Sequence, residues 1–376
     1  MTHLEIVPLE EKHLEEAAAL AVAGYRRERR AMQELTERPE NADEIVALLR
    51  SWLRRAPGVA ALEDGKFVGY IVGLPVPELR GRHKGVYVAE WANAVSYGVD
   101  DQSAEGLGHS PDTAGCSSYA ADRSSSVADL VSGSATGLGR GRRDLIYRTM
   151  YEAISQKWLE NGCLTHAVTV FAHDTEALGA WFGCCFGLLV VDAIRDLSPV
   201  SVPPVPGIEI RRATIDDLEQ VVHLRQAHQR YMAQAPIFMP LLEFDSEEDR
   251  SEFLRNPTNV FLLAYDGKDP VAYIQFQARV DGTARAVHDP GTVACTGAYT
   301  ADGYRRNGIG AAMLNRLIAE ARSAGYRRLS VDFESFNTLG SRFWLKYFKP
   351  VCYSVIRTLD DRVLWAHKDR KRVSAW

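Results

Sequence analysis

The stretch YTADGYRRNGIGAAML, residues 299–314, decides how the second half of this chain folds. It reads as the end of a strand, a short loop and the start of an amphipathic helix, with glycines at 308 and 310. The first N–H groups of a helix have no partner within the helix and carry partial positive charge. Glycine lets an anion approach the main chain closely, and Arg305 and Arg306 add charged donors. The segment therefore predicts a site for a diphosphate group.

Two other phosphate-binding loops are excluded by the residues around these glycines. A Walker A loop requires Lys-Ser or Lys-Thr after its glycines, and neither pair follows here. In a G-x-G-x-x-G dinucleotide motif a third glycine would occupy the position of Met313. The diphosphate is therefore expected to belong to another kind of ligand.

Strand and helix patterns alternate on both sides of this segment. Hydrophobic periodicity and turn residues predict strands at 208–212, 260–265, 271–280, 293–300, 329–334 and 351–358. They predict helices at 215–233, 246–254, 309–321 and 337–347, with Ser246 as an N-cap. Strands that alternate with helices indicate an α/β or α+β sheet with helices on its faces.

The segment RRNGIGAAML resembles the acyl-CoA pyrophosphate loop of the GNAT superfamily of N-acetyltransferases, whose pattern is Q/R-x-x-G-x-G/A. Arg305, Gly308 and Gly310 match that pattern. The later stretch SVDFESFNTLGSRFWLKYF, residues 330–348, resembles the strand and helix that follow in the same fold. The resemblance covers residues 208–365 and implies a mixed, mostly antiparallel central sheet flanked by helices.

The resemblance also implies that acetyl-CoA binds at this loop as a co-substrate. Strand residues 298–300 would offer main-chain groups to the pantetheine arm. Asn337 opens the last helix, where it would contact the cofactor or serve only as an N-cap. The residues expected to bind the cofactor are Ala298, Tyr299, Thr300, Arg305, Arg306, Asn307, Gly308, Ile309, Gly310, Ala311 and Asn337.

The implied reaction is transfer of an acetyl group to a primary amine of a small molecule or peptide, by direct attack in a ternary complex. An ammonium group has no lone pair, so a base must remove a proton. Asp332 and Glu334 lie two residues apart on one strand and face the same side, and Glu334 is the first candidate for the base. Trp344 occupies the position where many family members carry a tyrosine acid, which leaves Tyr347, one turn later, as the candidate acid. The alternative is an acyl-CoA-binding sensor or scaffold without catalysis.

The first half of the chain repeats the second half weakly. LEIVPLEEKHLEEAAAL, which begins at Leu4, matches IEIRRATIDDLEQVVHL, which begins at Ile208, and further on Trp181 corresponds to Trp344. The spacing of the repeat shortens from 204 to 163 residues because a Ser/Gly-rich insertion lies at about 98–141. Such a composition buries too little apolar surface to offset the entropy of ordering.

The phosphate loop is not repeated in the first half. At the spacing of 163 residues, Leu145 and Tyr147 replace Gly308 and Gly310, and their side chains would fill the space that a diphosphate needs. We therefore predict a degenerate GNAT-like domain at 1–197, a proline-rich linker at 198–207 and an acetyl-CoA-binding GNAT-like domain at 208–376.

Composition restricts the partners and the compartment of the protein. The chain has 376 residues and a formal net charge of -5, which argues against a nucleic acid partner because phosphate-backbone binding needs a basic face. No apolar run is long enough to span a bilayer, and the cysteines form no CxxC pair. These features predict a cytoplasmic protein that has neither a membrane partner nor a metal site, and they leave its oligomeric state open.

Overall fold

A computed structural model describes residues 3–36, 40–81, 83–98, 141–241, 243–278 and 284–364. The insertion predicted at 98–141 lies outside the described residues apart from its two ends. The described chain is an α/β protein whose helices flank mixed, mostly antiparallel sheets, so the predicted fold class is confirmed. Within the described ranges, no helix combines the length and the apolar composition needed to cross a membrane.

The first half of the chain contains eight strands and four α-helices among its described residues. The strands are β1 (Leu4–Pro8), β2 (Gly58–Glu63), β3 (Lys66–Val72), β4 (Leu74–Leu79), β5 (His83–Val88), β6 (Asn93–Val95), β7 (Thr165–Phe171) and β8 (Gly187–Asp196). The helices are α1 (Leu14–Ala31), α2 (Ala42–Leu53), α3 (Arg142–Glu160) and α4 (Thr175–Gly183).

The second half contains the strands and helices that its sequence predicts, within a few residues at their ends. The strands are β9 (Ile208–Arg212), β10 (Val260–Asp266), β11 (Asp269–Gln277), β12 (Thr292–Thr300), β13 (Arg328–Glu334) and β14 (Lys349–Thr358). The helices are α5 (Leu218–Met232), α6 (Glu247–Arg255), α7 (Ile309–Ser323) and α8 (Thr338–Tyr347). Ser246 caps α6 as predicted, because its hydroxyl accepts a hydrogen bond from the main-chain N–H of Asp249 at 3.1 Å.

The internal repeat is visible at the start of the last helix of each half. Asp174 caps α4 by accepting a hydrogen bond from the N–H of Ala177 at 3.0 Å, and Asn337 caps α8 in the same way from Gly340 at 2.9 Å. Trp181 and Trp344, which the repeat also aligns, are both buried. The two halves therefore share a local architecture as well as an order of elements.

The two halves exchange their last strands. The ten-stranded sheet has the order β4-β5-β7-β14-β8-β13-β12-β11-β10-β9, and β1-β2-β3-β6 form a second sheet. Strand β8 of the first half pairs with β13 of the second half, and β14 of the second half pairs with β7 of the first. Main-chain hydrogen bonds therefore connect the segments that the linker separates. The domain boundaries at 197 and 208 are therefore still a prediction made from the sequence.

The proline-rich linker packs against the second half. The N–H of Val200 donates to Oδ1 of Asn315 on α7 at 2.9 Å. A methyl carbon of Val205 lies 3.6 Å from the point that a Cβ on Gly308 would occupy. The linker forms neither helix nor strand, as its prolines predict, and it borders the region in front of α7.

Candidate active site

The candidate site opens where β12 and β13 separate. These parallel strands pair only as far as Cys295 and Val331, after which β12 continues alongside β11. The register of β12 against β11 shifts at Thr296, whose hydroxyl accepts a hydrogen bond from the side-chain amide of Gln275 at 2.8 Å. An extra residue bends the strand that carries it, so the segment 297–300 leads away from β13. The gap forms a cleft of about 900 Å³.

The main chain at one end of this cleft presents a row of unbonded donors. Gly308 has a φ of 83° and begins α7 without a side-chain cap. The N–H groups of residues 306–311 form no hydrogen bond with any described residue. A left-handed residue followed by free helical N–H groups forms a concave site for anions. The segment where the sequence predicts a diphosphate site therefore contains six consecutive main-chain N–H groups without a described hydrogen-bond partner.

The two arginines of the loop have different surroundings. The Arg305 side chain donates to the carbonyl of Thr300 at 2.8 Å and pairs with Asp302 at 2.6 Å. Its guanidinium also lies 4.5 Å from the centre of the Tyr231 ring. Arg306 is exposed at the edge of the cleft, and no described side chain pairs with it. Arg305 therefore holds the loop in shape, whereas Arg306 is available to an anion.

The predicted cofactor residues come together around this one cleft, with two exceptions. The cleft is lined by Ala298, Tyr299, Thr300, Arg305, Arg306, Gly308, Gly310, Ala311 and Asn337. Ile309 points into the core, and Asn307 does not line the cleft, so these two residues offer only their main-chain N–H groups. Asn337 accepts a hydrogen bond from the Tyr231 hydroxyl at 3.0 Å in addition to capping α8.

The two carboxylates of β13 both reach the cleft but differ in their contacts. Glu334 is buried and pairs with Arg80 of the first half, with Nη1 and Oε1 2.7 Å apart. Arg80 lies at the tip of the β4–β5 hairpin. Asp332 is open to the cleft and forms no ion pair with a described residue. The carboxylate of Glu334 is occupied by Arg80, whereas that of Asp332 is open to the cleft, so the geometry favours Asp332 over Glu334 as a base.

The pair of Arg80 and Glu334 joins the two halves at the cleft, and its removal is expected to destabilise the fold. Arg80→Met would leave the carboxylate of Glu334 buried without a partner, which costs about 2 kcal/mol of unfolding free energy or more. Urea unfolding measures this loss. The double variant Arg80→Met/Glu334→Gln removes the unpaired charge and is expected to recover more than half of it. An unchanged unfolding midpoint in Arg80→Met would contradict this account.

Tyr347 lies on the wall of the cleft at the end of α8. It is half-buried, and its ring centre is 5.2 Å from that of Phe343. The ammonium group of Lys346 lies 5.2 Å from the centre of the Tyr347 ring. The hydroxyl of Tyr347 forms no hydrogen bond within the described part of the chain, so it is free to interact with a ligand.

His228, which the sequence did not single out, also lines the cleft. Its Nδ1 lies 2.6 Å from the hydroxyl of Tyr273, which also accepts a hydrogen bond from Arg225 at 2.8 Å. Burial lowers the pKa of His228 to about 3, and the charges of Arg225 and Arg305 act in the same direction. The imidazole is therefore neutral and a weak base near neutral pH. A histidine within an amphipathic helix gives no sequence signal for this position.

The corresponding region of the first half is closed. The cavity there measures about 20 Å³. Arg143, which the repeat aligns with Arg306, turns inward and pairs with Asp174 at 2.7 Å. Its guanidinium also covers the Tyr97 ring at 3.8 Å, and Tyr147 is buried beside it. The prediction that Tyr147 would fill this space agrees with its burial. Leu145 is 59% exposed, so the prediction that its side chain would also fill this space was wrong.

The donor set of the open cleft suits an organic diphosphate. Free amides and an exposed arginine lie at one end. The unpaired edge of β12 leads from there to the point where β12 and β13 separate, and Asp332 lies on β13 at that point. Among the described residues, no cluster of three or more His, Cys, Asp or Glu side chains is arranged to hold a metal ion.

Comparison with known proteins identifies a family for this region. Residues 224–348 match the profile of the acetyltransferase (GNAT) family. No protein of curated function matches the chain. Among solved structures, a GCN5-related N-acetyltransferase from Sphaerobacter thermophilus is 13% identical, with a TM-score of 0.49 over 94% of this chain and 95% of that one. A tandem GNAT protein from the clavulanic acid biosynthesis pathway is 13% identical, with a TM-score of 0.40 over 95% and 98%.

The family profile covers the splayed strands, the loop of free amides and helix α8. The first half repeats the order of these elements around a closed cleft. Residues 224–348 of this chain therefore form a domain of the acetyltransferase (GNAT) family.

Proposed function

We propose that the protein transfers an acetyl group from acetyl-CoA to a primary amine of a small molecule or peptide. The observation that carries this proposal is the single continuous cleft, with free amides at 306–311 at one end and the carboxylate of Asp332 at the other. The family supports acyl transfer in general. The proposal adds the donor, the class of acceptor and the residues.

Binding of acetyl-CoA in this proposal follows the order of donors along the cleft. The amides of 306–311 and the side chain of Arg306 would hold the diphosphate through charge-assisted hydrogen bonds. The edge of β12 at 298–300 would hold the amides of the pantetheine arm, because this edge has no strand partner. Asn337 would contact the pantetheine arm from the opposite wall of the cleft. Such placement brings the thioester to the point where β12 and β13 diverge.

The chain's own groups then have three tasks at the thioester. They hold the amine beside the carbonyl carbon, and good alignment of two reactants can contribute several kcal/mol to the lowering of a barrier. Unpaired N–H groups of β12 stabilise the oxyanion that forms on attack. Tyr347 is proposed to donate a proton to the leaving thiolate, because its hydroxyl is free on the wall of the cleft.

A CoA-release assay tests the proposed function directly. We expect the protein to release free thiol from acetyl-CoA with at least one member of a panel of spermidine, tyramine, glucosamine and a lysine-containing peptide. Mass spectrometry of the acceptor should show a gain of one acetyl group. Tight binding of acetyl-CoA without transfer to any amine would instead favour the sensor or scaffold alternative. Absence of both binding and transfer would reject both functions.

A further inference from the structure

Two carboxyl groups face each other inside the sheet where the two halves meet. Asp332 of β13 lies directly opposite Asp192 of β8 in antiparallel register. Side chains at opposite positions point to the same face, with Cβ atoms about 4.5–5.5 Å apart, and like charges there repel. Because β8 comes from the first half, the strand exchange itself creates this pair.

Asp192 is the inner member of the pair. It is only 3% exposed, and its Oδ1 accepts a hydrogen bond from the N–H of Ala284 at 3.0 Å. Burial raises the pKa of Asp192 to about 8, and the charges of Asp332 and Glu90 act in the same direction. Near neutral pH, Asp192 therefore retains its proton.

Asp332 is the outer member and opens into the cleft at the divergence of β12 and β13. Burial of the carboxyl group raises the pKa of Asp332, and the charge of Glu334 acts in the same direction. The other ionisable groups that face the pair are Glu334 on β13, Cys295 on β12, Tyr87 and Glu90 of the first half, and Cys352 on β14. No described basic side chain pairs with either carboxyl group.

The closed half of the molecule serves as an internal comparison for this pair. The repeat aligns Asp332 with Thr169 of β7, which lies opposite Ser354 of β14. There the two hydroxyl oxygens are 2.7 Å apart in a neutral hydrogen bond. The same place in the fold therefore holds two acids beside the open cleft and two alcohols beside the closed one. Stability alone does not require acids at this position.

We infer that Asp192 and Asp332 act as one proton-sharing pair, in which Asp332 removes a proton from the acceptor amine and Asp192 tunes its basicity. This inference rests on the proposed acetyl transfer. The Asp332 carboxylate takes one proton from the ammonium group, and the free amine attacks the thioester carbon. Attack forms the C–N bond and a tetrahedral oxyanion, which collapses as the C–S bond breaks, and the second amine proton leaves with the CoA thiol. Asp332 is the catalytic residue and Asp192 a positioning residue.

The pair is tested first by the pH profile of kcat/KM for CoA release. Asp332→Asn is expected to lower kcat by about 100-fold or more, as expected for loss of a general base, with acetyl-CoA affinity retained. Asp192→Asn keeps the acceptor oxygen for Ala284 and replaces an acid by an amide donor. It should therefore retain turnover. Because a protonated Asp192 is already uncharged, the acidic limb of the profile should stay in place, while the change in kcat/KM that accompanies loss of the Asp192 proton, at a pKa of about 8, should disappear.

An infrared measurement on the substrate-free protein tests proton sharing independently of turnover. Near neutral pH, the wild type should show a protonated carboxyl band that is absent in Asp192→Asn and present in the control Asp196→Asn, an exposed carboxyl on the same strand. A change in kcat/KM near pH 8 that persists in Asp192→Asn, or a difference spectrum without this band, would overturn the inference. If no amine in the panel is acetylated, the proposed function is wrong, and so is the catalytic role of Asp332. The infrared band then still shows whether Asp192 holds the proton of the pair.

Discussion

Gly308→Trp is expected to weaken acetyl-CoA binding by about 100-fold or more. The indole would project across the amides of 306–311, and each lost hydrogen bond to a charged phosphate costs about 1.5–3 kcal/mol. Two lost bonds are enough for the expected change. Titration calorimetry of the full chain with acetyl-CoA measures it directly.

Two matched variants separate the loss of the ligand site from general damage. Gly308→Ala carries the same backbone penalty at a φ of 83°, about 1–2 kcal/mol of stability, but its Cβ meets only Val205 at an ordinary distance of 3.6 Å. Its affinity should therefore fall far less. Leu145→Trp, at the aligned position of the first half, changes a side chain that is 59% exposed and should leave binding unchanged. Equal losses in Gly308→Trp and Leu145→Trp would contradict a single site in the second half.

The local parts of the structure could be predicted because their signals are local. The segment YTADGYRRNGIGAAML, residues 299–314, contains a strand end, a pair of glycines and a helix start, and each is set by neighbouring side chains. Ser246 and Asn337 could be assigned as caps for the same reason. The repeat at a spacing of 163 residues then indicated which half retains the loop, and the two cavity volumes agree with that assignment.

The contacts that complete the cleft could not be predicted because they join distant parts of the chain. The pairing of β8 with β13 depends on which strand edges are free once both halves have folded. Arg80 is 254 residues from Glu334 and lies at a hairpin tip without a motif. The side-by-side placement of Asp332 and Glu334 was visible from their spacing. Only the exchanged strand and the hairpin distinguish a carboxylate bound by arginine from one that is open to the cleft.

Cutting the linker is expected to leave the two halves associated in one folded particle. A protease site inserted between Pro206 and Gly207, which are both exposed, allows cleavage of the intact native protein. Strand β8 forms seven residue pairs with β13, β14 forms seven with β7, and β8 and β14 form seven more with each other, all between the two halves. Separation would also expose core side chains such as Val351 and Val355, each worth about 1.5–3 kcal/mol when buried. Gel filtration after cleavage should show one peak at the mass of the uncut chain.

The same strand exchange predicts that the second half is not stable on its own. Residues 208–376 expressed alone would leave β13 without β8 and β14 without β7, and an unpaired apolar strand edge favours aggregation. Co-expression with residues 1–206 should restore a soluble complex that binds acetyl-CoA. Two separate peaks after linker cleavage, each with native circular dichroism, would show that the halves are independent. The carboxyl pair at the exchanged strands would then not survive cleavage, so the infrared band of Asp192 in the cut protein provides a second test of the exchange.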